Sequence, residues 1–108
     1  MADAWKVLGQ GQLGNSVATI ATVGAAKTWI IKLITMVNND TSARTFGLYV
    51  GGTAAANAVT GTAISLPASG GSWEWNPSGF TLETGQTIAG GASVSAKVTY
   101  TIFGDEIS

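Results

Sequence analysis

Apolar and polar residues alternate in two segments of the chain, residues 94–103 and 44–50. A repeat of two residues is typical of a β-strand with one buried face, because successive side chains of a strand point to opposite sides. Both segments are also rich in the β-branched and aromatic residues that strands favour. The pattern predicts the following inward-facing side chains: Val94, Ala96, Val98, Tyr100 and Ile102 in the later segment, and Phe46, Leu48 and Val50 in the earlier one.

Turn-forming residues interrupt the chain at short intervals. Short strands separated by Gly, Asn and Pro predict an all-β sandwich or barrel, here folded as a single domain. The turn signals lie at residues 9–14, 24, 38–40, 51–52, 61, 70–71, 76–79, 85, 90–91 and 104. We predict about eight strands, near residues 4–9, 16–23, 28–38, 44–50, 57–66, 72–75, 79–88 and 93–103, and residues 54–58 have a second interpretation as a helical turn.

The segment Trp29–Val37 is apolar on both faces of the predicted strand. In a two-layer sandwich one face of each sheet packs inward and the other normally meets water, so the second face needs a cover. Two covers are open at this point: the N-terminal arm of the same chain, or a neighbouring subunit. A chain covered by its own arm is a monomer, whereas a chain covered by a neighbouring subunit is an oligomer, so the two alternatives predict different masses in solution. One face carries Trp29, Ile31, Leu33 and Val37, and the other carries Ile30, Ile34 and Met36, interrupted by Lys32.

Residues Gly9–Gly14 match the G-x-G-x-x-G string of phosphate-binding loops. Such a loop binds phosphate because a helix begins directly after it. Here the next residues, Ser16–Ile20, predict a strand, so no helix supports the match. We interpret the glycine-rich segment as a flexible arm and expect no cofactor. The chain then divides into an N-terminal strand and arm, residues 1–15, and a β-sandwich, residues 16–108.

The composition argues against several classes of partner. Only 10% of the 108 residues are charged and the formal net charge is −1, so the chain lacks the clustered Lys and Arg that bind nucleic acid. The longest apolar run, residues 29–37, has about half the length that a membrane-spanning helix needs. The N-terminus also lacks the basic start and apolar core of a signal peptide. We expect no nucleic-acid partner, no membrane partner and no export.

The absence of cysteine and histidine removes most catalytic templates. Thiolate nucleophiles, Cys-ligated metals and the commonest general base are all excluded. Paired carboxylates remain, but Glu74 lies in a predicted strand and Glu83 in a predicted turn, with no sign that they converge. Asn38–Asp40 lack the spacing of a calcium loop, and turn formation explains them. We expect no enzyme activity and no metal. Asp105 and Glu106 could bind a cation weakly or pair with a Lys or Arg of a neighbour, and we favour their interpretation as solvated charges of the tail.

Two tryptophans, Trp73 and Trp75, lie on the same face of a predicted strand, with Glu74 opposite. An indole offers a large rigid apolar face beside a polar N–H, so an exposed pair could form a platform on which sugars stack. The same pair could instead fill one end of the sandwich or an interface between subunits. Packing is the interpretation that we favour.

Three segments of the chain together carry a family resemblance. Residues 34–50 combine a strand, an Asn-rich turn, the tripeptide Ala43-Arg44-Thr45 and a second strand. Residues 80–88 form a hairpin pattern with an acidic residue, then glycine, then Thr-Ile, and residues 98–107 form a last strand that ends in Gly-x-Glu. These segments resemble small jelly-roll virion structural proteins of tailed bacteriophages, of the head decoration or cement type. The resemblance extends from about residue 17 onward.

The resemblance implies a jelly-roll β-sandwich that acts on the capsid exterior of a virion, after synthesis in the host cytoplasm. It implies a homo-oligomer, expected to be a trimer, which binds the major capsid protein, stabilises the assembled head and carries no active site. From these expectations and the apolar pattern we predict the partner contacts Trp5, Lys6, Leu8, Ile30, Ile34, Met36 and Arg44.

Functions of a different class stay open beside this one. A β-sandwich module of a tail fibre or spike could bind a surface glycan by stacking Trp73 and Trp75 on sugar rings. A cellular carbohydrate-binding module is a third hypothesis, and it normally accompanies an export signal or a fused enzyme. Glycan binding that disappears on Trp73→Ala, with folding intact, would favour the adhesion hypotheses.

Overall fold

The computed structural model describes residues 6–60, 64–77 and 80–107. Within these residues the chain forms two antiparallel sheets, one short 3₁₀ turn at Ala55–Asn57 and no α-helix. The strands are β1 (Lys6–Gln12), β2 (Ala18–Thr22), β3 (Thr28–Asn38), β4 (Arg44–Val50), β5 (Ile64–Leu66), β6 (Ser72–Trp75), β7 (Phe80–Glu83), β8 (Thr87–Ala92) and β9 (Val98–Ile107).

The order of the strands is that of a jelly roll. The first sheet has the order β1-β9-β3, and the free edge of β3 pairs with β7 along its first half and with β6 along its second half. The second sheet has the order β2-β8-β4-β5. The pairs are nested, since β1 pairs with β9, β2 with β8, β3 with β6 and β7, and β4 with β5. A long hairpin rolled into two sheets has this nesting, which confirms the predicted jelly-roll-like β-sandwich.

The core lies between the two sheets and receives one face of each central strand. Phe46 and Leu48 of β4 and Val98, Tyr100 and Ile102 of the last segment are buried as predicted. Val50 is half-buried against the core, and Tyr49, which strict alternation places outward, is also buried. Burying one large aliphatic side chain contributes about 1.5–3 kcal/mol, so this core explains a fold without disulfides. Its fully buried side chains include Ile31, Ile34 and Met36 of β3, Leu48 of β4, Ile88 of β8 and Ile102 of β9.

Several strand bounds differ from the prediction. The segment 79–88 contains two strands, β7 and β8, which a turn at residues 84–86 sends to different sheets. The last strand begins at Val98, because residues 93–97 form a turn in which Ala96 has a φ of 62°. The helical-turn interpretation holds at Ala55–Asn57, and β5 is limited to Ile64–Leu66, while residues 61–63 lie outside the described residues.

The glycine-rich segment after residue 8 is largely a strand, where the sequence predicts a flexible arm. β1 pairs with β9 from Lys6 to Gln12 and so adds an edge strand to the first sheet. At Gly11 a Cβ would lie only 3.0 Å from the hydroxyl oxygen of Tyr100 and 3.3 Å from its Cζ. Glycine therefore lets the Tyr100 ring pack directly on the backbone of β1.

Candidate interaction surface

A β-bulge lies in the middle of β3, the central strand of the first sheet. Ile31 pairs with Gly104 and Leu33 pairs with Phe103, which leaves Lys32 as an extra residue between them. One extra residue shifts the two-residue alternation, so the side chains beyond it exchange faces. β3 therefore presents odd-numbered residues to the core before the bulge and even-numbered residues after it.

Ile34 and Met36, which the sequence predicts as partner contacts, are instead fully buried in the core. Alternation counted without the bulge placed both of them on the same face as Ile30. In the structure Ile30 faces outward and they face inward, because Lys32 separates the two halves of the strand. The outward face of β3 carries Ile30, Leu33 and Val37, each half-buried.

The outward face of the first sheet carries a group of apolar side chains across β1, β9 and β3. Val7 and Leu33 both pair with Phe103, and cross-strand partners lie on the same face of a sheet. Val7 is 49% exposed and Ile107 is 50% exposed. Leu33 and Phe103 are half-buried. We call this group the apolar patch and define it by Val7, Ile30, Leu33, Phe103 and Ile107.

A carboxylate lies within the apolar patch. Asp105 pairs with Ile30 and lies between Phe103 and Ile107 along β9. Asp105 is only 9% exposed, and its Oδ1 is buried without a hydrogen-bond partner among the residues that the structure describes. A buried acceptor left without a donor costs about 1–3 kcal/mol. The patch thus contains a group that a donor from a partner would satisfy, where the sequence predicts a solvated tail charge.

The other half of the same outward face is polar. The side chain of Gln10 donates to the Thr101 hydroxyl at 3.2 Å, and that of Asn39 donates to the Thr99 hydroxyl at 2.8 Å. Thr35 pairs with Thr101 across the sheet. The apolar patch therefore has a border, as an interaction surface with a polar rim does.

A second group of side chains meets at the end of the first sheet. The Lys6 ammonium lies 3.2 Å from Oε1 of Glu106, and the Trp29 indole N–H donates to Oε2 at 2.9 Å. Lys6, a predicted partner contact, thus already has a partner within the chain, although 54% of its side chain is exposed. The predicted contact Leu8 is half-buried against the core, and Trp5 lies outside the described residues.

The contacts of Glu106 predict a loss of stability in acid. The indole of Trp29 and then the ammonium of Lys6 lower the pKa of Glu106 below its ordinary value of 4.5. A group whose pKa is lower in the folded chain stabilises the fold at a pH above its unfolded pKa, and this contribution is lost as the pH falls through its folded pKa. We expect the free energy of unfolding to fall between about pH 5 and pH 2.

This prediction is checked by urea unfolding followed through tryptophan fluorescence across that pH range. The variant Glu106→Gln should be less stable than wild type at pH 7 and should lose less stability in acid. Glu74→Gln, which removes an exposed carboxylate on β6, is the control. Equal acid slopes for wild type and Glu106→Gln would contradict the assignment.

Arg44, another predicted partner contact, is held inside the Asn-rich turn. Its guanidinium lies 2.6 Å from Oδ2 of Asp40, and Oδ1 of Asp40 accepts the Thr41 amide at 2.7 Å. The Arg44 guanidinium and then the Thr41 amide lower the pKa of Asp40. These bonds occupy the turn's carboxylate oxygens, so Arg44 contacts a partner only by sharing or breaking its ion pair.

Trp73 and Trp75 pack against rings of neighbouring strands. Trp73 meets Phe46 edge to face, with ring centroids 5.1 Å apart, and Trp75 stacks on Phe80 at 5.2 Å with the rings inclined by 29°. Both tryptophans lie against the core cluster. These two rings therefore fill the sandwich, and their arrangement offers no pair of open indole faces to a sugar.

The described parts of the chain contain neither a cluster of metal-binding side chains nor a membrane-spanning helix. Residues 6–60, 64–77 and 80–107 hold no group of three or more His, Cys, Asp or Glu side chains placed to bind a metal. No helix in the same ranges is long and apolar enough to cross a membrane. The most developed surface feature is the apolar patch with its buried carboxylate.

Comparison with known proteins identifies the fold. No family model matches the chain, and no curated protein matches it. The virus-like particle of the extra small virus of the prawn Macrobrachium rosenbergii has a similar chain, with a TM-score of 0.51 and 12% identity over 100% of this chain and 81% of that chain. Tobacco streak virus coat protein, solved as a dimer, has a TM-score of 0.51 and 15% identity over 98% and 87% of the two chains. The protein thus shares the jelly roll of viral coat proteins.

Proposed function

We propose that the protein is a structural component of a virus particle, and more specifically a decoration or cement protein on the outside of an assembled phage head. The observation that carries the proposal is the apolar patch on a jelly roll of the viral coat type. The resemblance of residues 34–50, 80–88 and 98–107 to tailed-phage decoration proteins supports the finer assignment.

The proposed mechanism is adhesion, and the protein catalyses no reaction. A protein that binds the assembled shell but not its separated subunits stabilises the shell by mass action. Each bound copy adds contacts across boundaries between major capsid protein subunits, and opening the head requires those contacts to break. An apolar patch with a polar rim has the composition of an assembly contact, either with the shell or between copies bound to it.

Location on the particle tests the proposal directly. Purified particles that carry the protein are labelled with an antibody against it and imaged by electron microscopy. We expect label over the head, and we expect heads that lack the protein to disassemble at a lower temperature. Label confined to the tail would overturn the decoration assignment and favour the adhesion module.

The apolar patch predicts a specific loss of binding. Val7→Ser with Ile107→Ser replaces two half-exposed apolar side chains of the patch. Full burial of one such side chain contributes about 1.5–3 kcal/mol, and 1.4 kcal/mol is a tenfold change in affinity. We expect the double variant to bind heads at least about tenfold more weakly than wild type, measured by co-sedimentation with heads that lack the protein.

A matched control exists outside the patch. Val17 and Val59 are 37% and 44% exposed, and neither belongs to the outward face of the first sheet. Val17→Ser with Val59→Ser removes comparable apolar surface, and we expect it to bind as wild type does. Equal weakening by both double variants would show that general hydrophobicity, rather than the patch, governs binding.

A further inference from the structure

Two opposite charges on the outward face of the first sheet have no partner within the described residues. The Oδ1 of Asp105 is buried and makes no hydrogen bond to any described residue. Lys32, the extra residue of the bulge, is half-buried and takes part in neither ion pair of the described residues, which are Lys6–Glu106 and Arg44–Asp40. An unpaired charge in a half-buried apolar setting carries a desolvation cost that a partner of opposite charge reduces.

The register places these two charges beside each other on one face. Asp105 pairs with Ile30, and Lys32 lies two residues further along β3, so they are diagonal neighbours across the β3–β9 ladder. Ile31 and Ile34, which flank the bulge, both point into the core. Since side chains alternate along a strand, Lys32 and Leu33 point outward together. The face thus carries a donor and an acceptor side by side within the apolar patch.

Such a face is complementary to itself. A two-fold axis that lies in the plane of contact, and crosses the line from Lys32 to Asp105 at its midpoint and at a right angle, brings each Lys32 onto the Asp105 of the other copy. In a two-fold interface residue i contacts residue j and residue j contacts residue i. The same rotation lays apolar patch on apolar patch, which covers the exposed Val7 and Ile107.

We propose that the apolar patch is the contact between two copies of this chain, closed by two reciprocal Lys32–Asp105 ion pairs. The inference rests on the proposed function in treating the patch as an assembly contact, and it names a second copy of the chain as the occupant of that contact. It replaces the trimer expected from the family resemblance with a two-fold pair. The pair supplies Asp105 with a donor that the described residues of one chain do not supply. Other surfaces of the pair then bind the head, and the weaker head binding expected of Val7→Ser with Ile107→Ser follows from the loss of two-point attachment when the pair separates.

Charge exchange between the two positions tests the contact. Lys32→Glu places two acidic groups on the face, and Asp105→Lys places two basic groups there. Neither variant is complementary to itself, whereas each is complementary to the other. In the mixed pair one ion pair joins the native Lys32 and Asp105, and the other joins the two substituted side chains with their charges reversed. Analytical ultracentrifugation of each variant and of an equimolar mixture measures the masses.

We expect wild type to sediment as a dimer, each variant as a monomer with a dissociation constant raised at least about 100-fold, and the mixture as a heterodimer. Lys97→Glu, the same charge change at an exposed position outside the patch, should leave the dimer intact. Circular dichroism checks the fold of each variant. If Asp105→Lys does not fold, Asp105→Asn takes its place. The proposal would be overturned if Lys32→Glu or Asp105→Asn formed dimers as stable as those of wild type.

Other outcomes separate this inference from the proposed function. A trimeric wild type, or a mixture that stays monomeric although both variants fold, would overturn the two-fold contact. Binding to heads is measured separately by co-sedimentation. Wild type that binds heads without forming dimers would overturn the two-fold contact and support the decoration function. Dimers that bind no heads would overturn the decoration function and support the two-fold contact.

Discussion

Gly104→Ala is expected to destabilise the fold by about 3 kcal/mol or more, in the range of severe overpacking. A Cβ at Gly104 would overlap the backbone carbonyl oxygen of Ile30 on the neighbouring strand, and it would lie 3.1 Å from Cδ1 of Leu8. The Leu8 side chain can move, but the carbonyl belongs to the β3–β9 ladder and is fixed by it. Relief therefore requires the ladder to open at the bulge that places Lys32 and Leu33 on the outward face.

The measurement is urea unfolding at neutral pH, followed by tryptophan fluorescence. Gly14→Ala is the matched control, since no atom lies within 4 Å of the position of its Cβ and its backbone is not in the left-handed region. We expect this variant to unfold within about 0.5 kcal/mol of wild type, as surface substitutions do. A Gly104→Ala protein of wild-type stability would mean that β3 and β9 are less closely apposed here than the register shows.

Most of the strand pattern could be predicted from local chemistry. The bounds of β3, β4 and β6 agree with the prediction, because these segments are rich in apolar, β-branched and aromatic residues and Gly, Asn or Pro lie beyond their ends. The prediction was wrong at glycines that lie inside a strand, because it interpreted them as turn residues. Gly11 and Gly104 are β-strand residues whose missing side chains make room for a ring or a backbone from the neighbouring strand, and this neighbour is not visible in the sequence.

The sequence predicted that β3 has a second apolar face, but it predicted the wrong residues for part of that face. A second apolar face on residues 29–37 does exist, yet it consists of Ile30, Leu33 and Val37. A bulge adds one residue without leaving a local signal in the sequence, and that residue exchanges the faces of everything after it. The burial of Asp105 was not predicted, since a carboxylate at the end of a predicted strand is normally solvated, whereas here Asp105 pairs with Ile30 of β3 and is only 9% exposed.

Asn38→Leu is expected to cost about 4 kcal/mol, because it leaves several polar groups without partners. The Asn38 side chain is fully buried at the end of β3. Its amide nitrogen lies 3.0 Å from the Ser42 carbonyl oxygen, 3.2 Å from that of Leu66 and 3.1 Å from that of Pro67. Its Oδ1 accepts the Asp40 amide at 2.9 Å.

These bonds join the two sheets at one end of the sandwich. β3 belongs to the first sheet, whereas Leu66 ends β5 in the second, and residues 39–43 form the connection between β3 and β4. Leucine has a similar volume, so the loss arises from the unpaired carbonyls and amide rather than from a cavity. The Asn-rich turn therefore has a structural role, as the turn interpretation predicts. The side-chain oxygens of Asn38 and Asp40 accept hydrogen bonds within the turn.

Asn39→Leu tests whether the stability comes from the buried side chain of Asn38 or from the turn as a whole. Asn39 is exposed, and among the described residues its side chain makes one hydrogen bond, to the Thr99 hydroxyl. We expect it to cost less than about 1 kcal/mol, the usual net contribution of a single exposed bond. Thermal and urea unfolding of both variants give the difference in free energy. Equal losses would show that the turn tolerates no substitution, whereas a large loss confined to Asn38 assigns the stability to the buried amide that ties β3 to β5.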